Sequence, residues 1–232
     1  MNQPLLTVAL MLFNEIEGLQ TTVEELLSTL RASQITFELL IIDDGSQDGS
    51  EQVASRLAES YAEVSLHRHP HNQGLGEVYR SGFRLANGEW LTFFPADGEV
   101  PADCIPAFLE AMPENDLLLG WIPQSKRSLP QVFLSFCERT LYRLLFGPFP
   151  MLQGIFMIRC QELRRHKLRS KGRSWVNLKE LILRATRGGC RYKTIRTSLR
   201  PRYGGISKAR TLKLIVLNLL EAVRLRLEML AE

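Results

Sequence analysis

Phe37 to Ser50, FELLIIDDGSQDGS, constrains the fold of this chain more than any other stretch. The apolar run Leu39-Leu40-Ile41-Ile42 ends at two adjacent carboxylates, Asp43 and Asp44, and Asp48-Gly49-Ser50 then supplies a helix start. An uncharged run of this length between helical patterns reads as a strand buried on both faces of a parallel sheet. In open α/β sheets, ligands bind outside the carboxyl ends of the strands. Asp43, Asp44 and Asp48 are therefore expected at the rim of a ligand cleft. An acidic turn with a helix N-cap at Asp48 or Ser50 is the plainer alternative. A calcium loop fails on spacing: counted from Asp44, the twelfth position, which needs a bidentate Glu, is Ser55.

The neighbouring segments extend that pattern. Leu5 to Leu12 is an apolar first strand, with Asn14-Glu15 at its carboxyl end. Leu19, Val23, Leu26, Leu27 and Leu30 are spaced for an amphipathic helix; Val53, Leu57 and Tyr61 give a second. Val64-Ser65-Leu66 is a short strand. His67, His69 and His71 alternate after it, but Pro70 interrupts them and zinc needs further ordered ligands, so they read as a polar strand end. Asn72-Gln73-Gly74-Leu75-Gly76 leads into a helix and is no dinucleotide fingerprint, because the third glycine position falls on Tyr79. Gly74 and Gly76 still let backbone N–H groups approach a phosphate. Trp90 to Phe94 is another apolar strand, ending at Pro95-Ala96-Asp97-Gly98-Glu99. Two acidic strand ends in one sheet fit an oxygen-ligated cation, Mg²⁺ or Mn²⁺, bridging nucleotide phosphates.

At 232 residues, 45% hydrophobic and 23% charged, the chain has the length and composition of one large α/β domain with appendages. Its four cysteines form no CxxC pair, which argues against zinc and a disulfide framework and suits a reducing compartment. The start has no signal-peptide pattern, and no apolar stretch reaches the ~18 residues of a spanning helix. The net charge of +4 hides a division. Residues 1–122 carry 5 basic and 19 acidic side chains, net −14, whereas residues 123–232 carry 24 and 6, net +18. The second half is thus expected to meet an anionic partner.

In order along the chain, Asn14-Glu15, the DDGSxDG turn at Asp43 to Gly49, the NxGxGxxxxxG set at Asn72, Gly74, Gly76 and Gly82, and the acidic motif at Asp97 and Glu99 resemble the family 2 glycosyltransferases. Within that family the chain is most similar to the branch of dolichol-phosphate mannose synthase and bacterial polyprenyl-phosphate glycosyltransferases. There the metal motif reads DADxQ and a later stretch reads RxxGxSK, here Arg202 to Lys208. Pro95 replaces the first Asp, and Glu99 replaces Gln. The resemblance implies an A-type glycosyltransferase fold, a Rossmann-like, mostly parallel sheet with helices on both faces, followed by C-terminal amphipathic helices. It implies that Glu15 and Asp44 hold the nucleoside and that Asp97 and Glu99 hold the metal and donor diphosphate; Asn14, Asp43, Gly74 and Gly76 belong to the same donor-binding set.

The basic half supplies the acceptor side of that expectation. Ser135, Arg139 and Arg143 share one face of a helical segment, and the family branch places Arg and Ser here for an acceptor phosphate. Arg127, Ser135, Arg139, Arg202 and Lys208 are the expected acceptor-phosphate set, an ordinary solvated stripe being the alternative. Arg159 to Arg173 is dense in cations but lacks aromatic interleaving, so no nucleic acid is expected; anionic lipid headgroups explain it as well. Glu180 lies four residues before Arg184 and reads as a surface pair. It is also the one mid-chain carboxylate to consider as a base for a hydroxyl acceptor. The expected division is a transferase domain over 1–205 and an amphipathic helix over 206–232, lying in the membrane interface or packed on protein. The expected activity is inverting transfer of a sugar from a nucleotide-sugar donor to a polyprenyl phosphate by a cytoplasmic, peripherally membrane-bound enzyme. The alternatives are a hydroxyl-acceptor transferase and, because of Pro95, a non-catalytic nucleotide-binding relative.

Overall fold

The computed structural model describes residues 3–123, 140–148, 150, 152–204 and 212–230. In chain order its elements are β1 (Leu6–Leu12), α1 (Ile16–Ala32), β2 (Phe37–Asp43), α2 (Ser50–Ser60), β3 (Val64–Arg68), α3 (Leu75–Leu85), β4 (Trp90–Pro95), α4 (Ile105–Ala111) and β5 (Leu117–Trp121). A helical stretch over 140–146, here α5, comes next. Then come β6 (Phe156–Arg159), α6 (Cys160–Arg165), α7 (Val176–Arg187), β7 (Tyr192–Arg196) and α8 (Leu212–Leu230). The seven strands form one sheet in the order β3-β2-β1-β4-β6-β5-β7. All neighbours are parallel except that β6 runs against both β4 and β5.

The buried runs alternate across the sheet as the period of a strand requires. Leu6, Val8, Leu10 and Leu12 of β1 face the cluster that α1, α2 and α4 close, with Leu19, Val23, Leu26, Ala54, Ile105 and Phe108. Ala9, Ile42, Leu91 and Phe93 face the opposite cluster, closed by α3, α6 and α7. Helices on both faces explain why Val8 to Leu12 of β1 and Leu39 to Ile42 of β2 are unbroken apolar runs rather than alternating with polar residues. Each fully buried Leu or Phe contributes about 1.5–3 kcal/mol. A third cluster joins Tyr142 and Phe146 of α5, Val176 and Leu183 of α7, and Ala222 and Leu225 of α8. Leu220, Val223 and Leu227 on α8 remain exposed.

The strand order sets the site. From β1 the chain steps outward through β2 and β3, then returns to β4 on the other side of β1. The order therefore reverses between β1 and β4, the place where a crevice opens at the carboxyl ends of the strands. Register brings those ends level, because Leu12 pairs with Asp43 and Met11 with Pro95. Glu15, Asp44 and Asp97 thus all lie just beyond the same edge of the sheet.

Candidate active site

The first part of the rim is a brace between two loops. The Asn14 N–H donates to Ser46 Oγ (2.9 Å), the Gln47 N–H to Asn14 Oδ1 (2.7 Å) and the Glu15 N–H to Ser50 Oγ (3.0 Å). Asn14 itself sits at φ 52°, a left-handed conformation that Asn tolerates better than most residues. Asp48 accepts from Ile16 N–H at the start of α1 and from both the N–H and hydroxyl of Ser50 at the start of α2. Burial pushes the Asp48 carboxyl up, but these three donors outweigh it and hold it below the usual carboxylate range. Asp48 therefore ties the starts of α1 and α2 together, but the N-cap expected at Asp48 or Ser50 is corrected: Gly49 occupies that position in α2 and Glu15 in α1, neither with a side-chain cap. Asp43 is fully buried: Oδ1 accepts from Ser46 N–H (3.0 Å), and Arg68 Nε lies 3.8 Å from Oδ2.

Asp44 is turned inward. Its two oxygens accept from Gln73 N–H and Gly74 N–H (both 2.9 Å) and meet His69 Nδ1 at 2.8 Å. A carboxylate only accepts, so His69 Nδ1 carries the proton, and Nε2 faces Ser81 Oγ at 2.8 Å. The polar strand end expected at His69 is thus a buried link from β3 to α3. Gly74 and Gly76 lie against the chain's own basic loop. The Gly76 N–H donates to the Arg173 carbonyl (2.9 Å), Asn177 Nδ2 donates to the Gly76 carbonyl (2.7 Å), and Arg173 Nη2 reaches the Asn72 carbonyl (3.0 Å). A Cβ at Gly76 would overlap the Gly172 carbonyl, so glycine is required there for close backbone approach.

The second part of the rim lies beyond β4. Asp97 Oδ1 accepts from Glu99 N–H (2.9 Å), and Oδ2 lies 3.2 Å from Arg202 Nη2. The same Nη2 lies 2.6 Å from Glu15 Oε1, 187 residues away in sequence. Arg202 is held there by a strap. The Arg200 N–H donates to the Glu99 carbonyl (3.0 Å), the Tyr203 N–H to the Asp97 carbonyl (3.1 Å), and Arg200 Nε to the Gly98 carbonyl (2.7 Å). Arg200 also pairs with Glu25 of α1 and stacks 4.7 Å over the Tyr203 ring, whose hydroxyl donates to Glu25. Burial pushes the Glu25 carboxyl up, but Arg200, Ala102 N–H and Tyr203 together hold it below the usual range.

These residues do not, as arranged, fit a divalent ion. Magnesium and manganese take oxygen donors from one or two carboxylates plus substrate phosphates. Here Pro95 offers no side-chain oxygen, and Asp97 caps Glu99 with one oxygen while the other meets a guanidinium. Among the described residues no group of three His, Cys, Asp or Glu side chains converges as a metal site. Glu99 is half-buried beside Asp97.

On the basic side, Arg127, Ser135, Arg139 and Lys208 lie outside the described residues, whereas Arg202 lies at the acidic rim. The surface-pair reading of Glu180 is corrected: its side chain is fully buried, accepts from Arg169 N–H and Ser170 N–H (3.0 and 2.8 Å) as well as Arg184 Nε, and so fastens the basic loop to α7. Glu221 of α8 does the same a little further along the loop, accepting from Arg173 N–H (2.9 Å), Ser174 N–H and the Ser174 hydroxyl. Lys167 and Lys171 stand at the surface of this loop, and Arg164 at the surface of α6 just before it. A recess of about 230 Å³ between the loop and α8 is lined by Lys171, Arg173, Glu221 and Arg224, and by none of the rim carboxylates. Sequence reasoning missed Glu25, Arg200, Tyr203 and Glu221. The one available signal was that Arg200 and Tyr203 flank Arg202.

Comparison with known proteins agrees with this architecture. The chain is 30% identical over 119 residues to an uncharacterized glycosyltransferase of Haemophilus influenzae, covering 51% of this chain and 46% of that one. It is 31% identical over 91 residues to a dolichyl-phosphate beta-glucosyltransferase of Trichomonas vaginalis, covering 37% of this chain and 28% of that one. The aligned segments thus span less than half the length of these curated relatives. Among solved structures, glucosyl-3-phosphoglycerate synthase from Mycobacterium tuberculosis, in complex with Mn²⁺, UDP and glucosyl-3-phosphoglycerate, superimposes with a TM-score of 0.68 at 16% identity, over 96% of this chain and 80% of that one. At that identity the likeness establishes the shared A-type glycosyltransferase fold. The family model for Glycosyl transferase family 2 matches residues 7–166, more than half of the chain, and the chain belongs to that family.

Proposed function

We propose that this chain transfers a sugar from a nucleotide-sugar to a polyprenyl phosphate with inversion at the anomeric carbon. The observation that carries the reading is the convergence of Glu15, Asp97 and Arg202 at the point where the strand order reverses. That edge is where a nucleotide sits in sheets of this kind. The solved relative with UDP and the curated dolichyl-phosphate relative support the donor and acceptor classes, respectively.

In this reading an acceptor phosphate oxygen attacks the anomeric carbon, a C–O bond forms, and the bond to the nucleoside diphosphate breaks with its electron pair leaving on the diphosphate. The acceptor is already ionised, so no base is needed, only positioning and charge neutralisation. Glu180 supports this choice over a hydroxyl acceptor, because its oxygens are spent on Arg169, Ser170 and Arg184 and are fully buried. The Asp44-held loop at Gln73-Gly74 and the Asn14–Ser46 brace would shape the nucleoside end. Arg202 would supply cationic charge at the diphosphate, with Arg127, Ser135, Arg139 and Lys208 proposed for the acceptor. A magnesium or manganese ion could join at Asp97 and Glu99 only after Arg202 releases Asp97.

The acceptor is a lipid, so the reading includes peripheral contact with the cytoplasmic face of a membrane. Exposed Leu144, Leu220 and Leu227, together with the surface cations of the basic loop, are the surface proposed for it. No helix among the described residues is long and apolar enough to cross a membrane. The test is incubation with a panel of radiolabelled nucleotide-sugars and polyprenyl phosphate, with organic extraction of the products. Label in the organic phase is expected with one donor. An empty organic phase across the whole panel, with label instead on a glycan or protein, would replace this acceptor with a hydroxyl.

A further inference from the structure

The carboxylates of the rim create an electrostatic problem for the nucleotide reading on which this inference rests. A diphosphate brought beside Glu15 and Asp97 is repelled unless a cation stands among them. The structure already contains one. Arg202 Nη2 lies 2.6 Å from Glu15 and 3.2 Å from Asp97, and the Arg202, Glu15 and Asp97 side chains are mostly buried, at 16%, 13% and 12% exposure. At such depth the pairing is screened far less than a surface salt bridge.

Three features separate this arrangement from a chance pair. The strap fixes its place: Arg200 and Tyr203 bond to the backbone of the 97–99 turn on either side of Arg202, so the guanidinium is delivered to Asp97 by the fold. The metal position is reduced, since Pro95 brings no carboxylate and Asp97 is committed to Glu99 N–H and Arg202. Finally, Arg202 Nε is buried and has no acceptor among the described residues. A buried charged donor left unmatched is unfavourable, and an anionic oxygen is the acceptor it suits best.

We propose that Arg202 is this chain's resident cation at the diphosphate. It offsets one of the two negative charges of Glu15 and Asp97, offers its Nε–H to a phosphate oxygen, and lets a nucleoside diphosphate bind without a divalent ion. The same group then stabilises the diphosphate as it departs. Pro95 is on this account compatible with an active enzyme, because the missing carboxylate belongs to a metal the site does not require.

The test is isothermal titration calorimetry of the full chain with UDP and with GDP, each in excess EDTA and in excess MnCl₂. Wild-type Kd for the preferred nucleotide is expected to differ by less than about threefold between the two buffers. Arg202→Ala is expected to weaken binding in EDTA by about tenfold or more. Arg202→Lys, which keeps a point charge but loses the planar fork, should fall between them. A thermal melt of each variant checks folding, and the wild-type comparison stands even if a variant does not fold. Wild-type binding that vanishes in EDTA and returns with Mn²⁺ would overturn the proposal and leave the nucleotide reading intact. An unchanged Kd for folded Arg202→Ala in EDTA would also overturn it. Absence of binding to either nucleotide in both buffers would bring down the nucleotide reading and this inference together.

Discussion

Asp44 and Asp97 stand beyond the two strands that flank β1, β2 on one side and β4 on the other, and they meet opposite fates. Asp44 is turned into the protein and surrounded by two backbone N–H groups and a histidine. Asp97 stays at the edge and faces a guanidinium that Glu15 shares. The difference lies in the loop that each strand feeds. Beyond β2 and β3 the chain folds Asn72 to Gly76 back over Asp44, and three donors consume it. Beyond β4 the chain makes a tight turn at Gly98 (φ 72°) that caps only one oxygen of Asp97. A carboxylate at a strand end is thus available to a ligand only if the adjoining loop leaves one of its oxygens uncapped.

The contrast can be broken most directly at Asp44. Asp44→Ala leaves the buried His69 Nδ1 and two half-buried backbone N–H groups unmatched and should destabilise the fold by roughly 3 kcal/mol in urea unfolding. A loss under about 1 kcal/mol would mean that Asp44 is not structural at all. Glu180→Ala should cost somewhat less, about 2 kcal/mol by the same measurement, because two backbone amides and Arg184 lose an acceptor at the edge of the basic loop. Asp97→Asn keeps an acceptor for Glu99 N–H and leaves Arg202 its pair with Glu15, so unfolding should shift by about 1 kcal/mol, less than at Asp44. Its effect should fall on sugar transfer instead, and equal losses of stability at Asp44 and Asp97 would dissolve the distinction. The smallest effect concerns acid. The folded-state pKa of Glu25 lies below its ordinary value, so its contribution is full above the unfolded pKa and is lost as pH falls through the folded one. Glu25→Gln should therefore flatten the stability profile on the acid side, below about pH 4.5, and leave it unchanged in shape near neutrality.

Much of the scaffold is legible in the chain because its signals are local. Leu39 to Ile42 stops at carboxylates, Leu19 to Leu30 carries a helical stripe, and both do what those patterns dictate. The placement of Glu15, Asp44 and Asp97 along one edge obeys the same logic. What each carboxylate touches does not. Glu180 carries the spacing of an ordinary i, i+4 pair with Arg184, yet its other partners are backbone amides of residues 169 and 170, which have no residue-type signature. Glu221 reaches Arg173 across 48 residues and Glu15 reaches Arg202 across 187. The antiparallel insertion of β6 between β4 and β5 is likewise a matter of register between distant strands, and its four residues look like any short apolar run.

The distance along the chain between Asp97 and Arg202 also orders events on the ribosome. Strands β1 to β4 and their helices can pack once residue 111 has emerged, but the strap that delivers the guanidinium is made 105 residues after Asp97. At synthesis rates of about 5–20 residues per second, the half-built edge waits roughly 5–20 seconds with its acidic side chains uncompensated. During that interval Glu15 and Asp97 stand without the guanidinium, so the nucleotide binding proposed above would begin only when the last strand and its strap are in place.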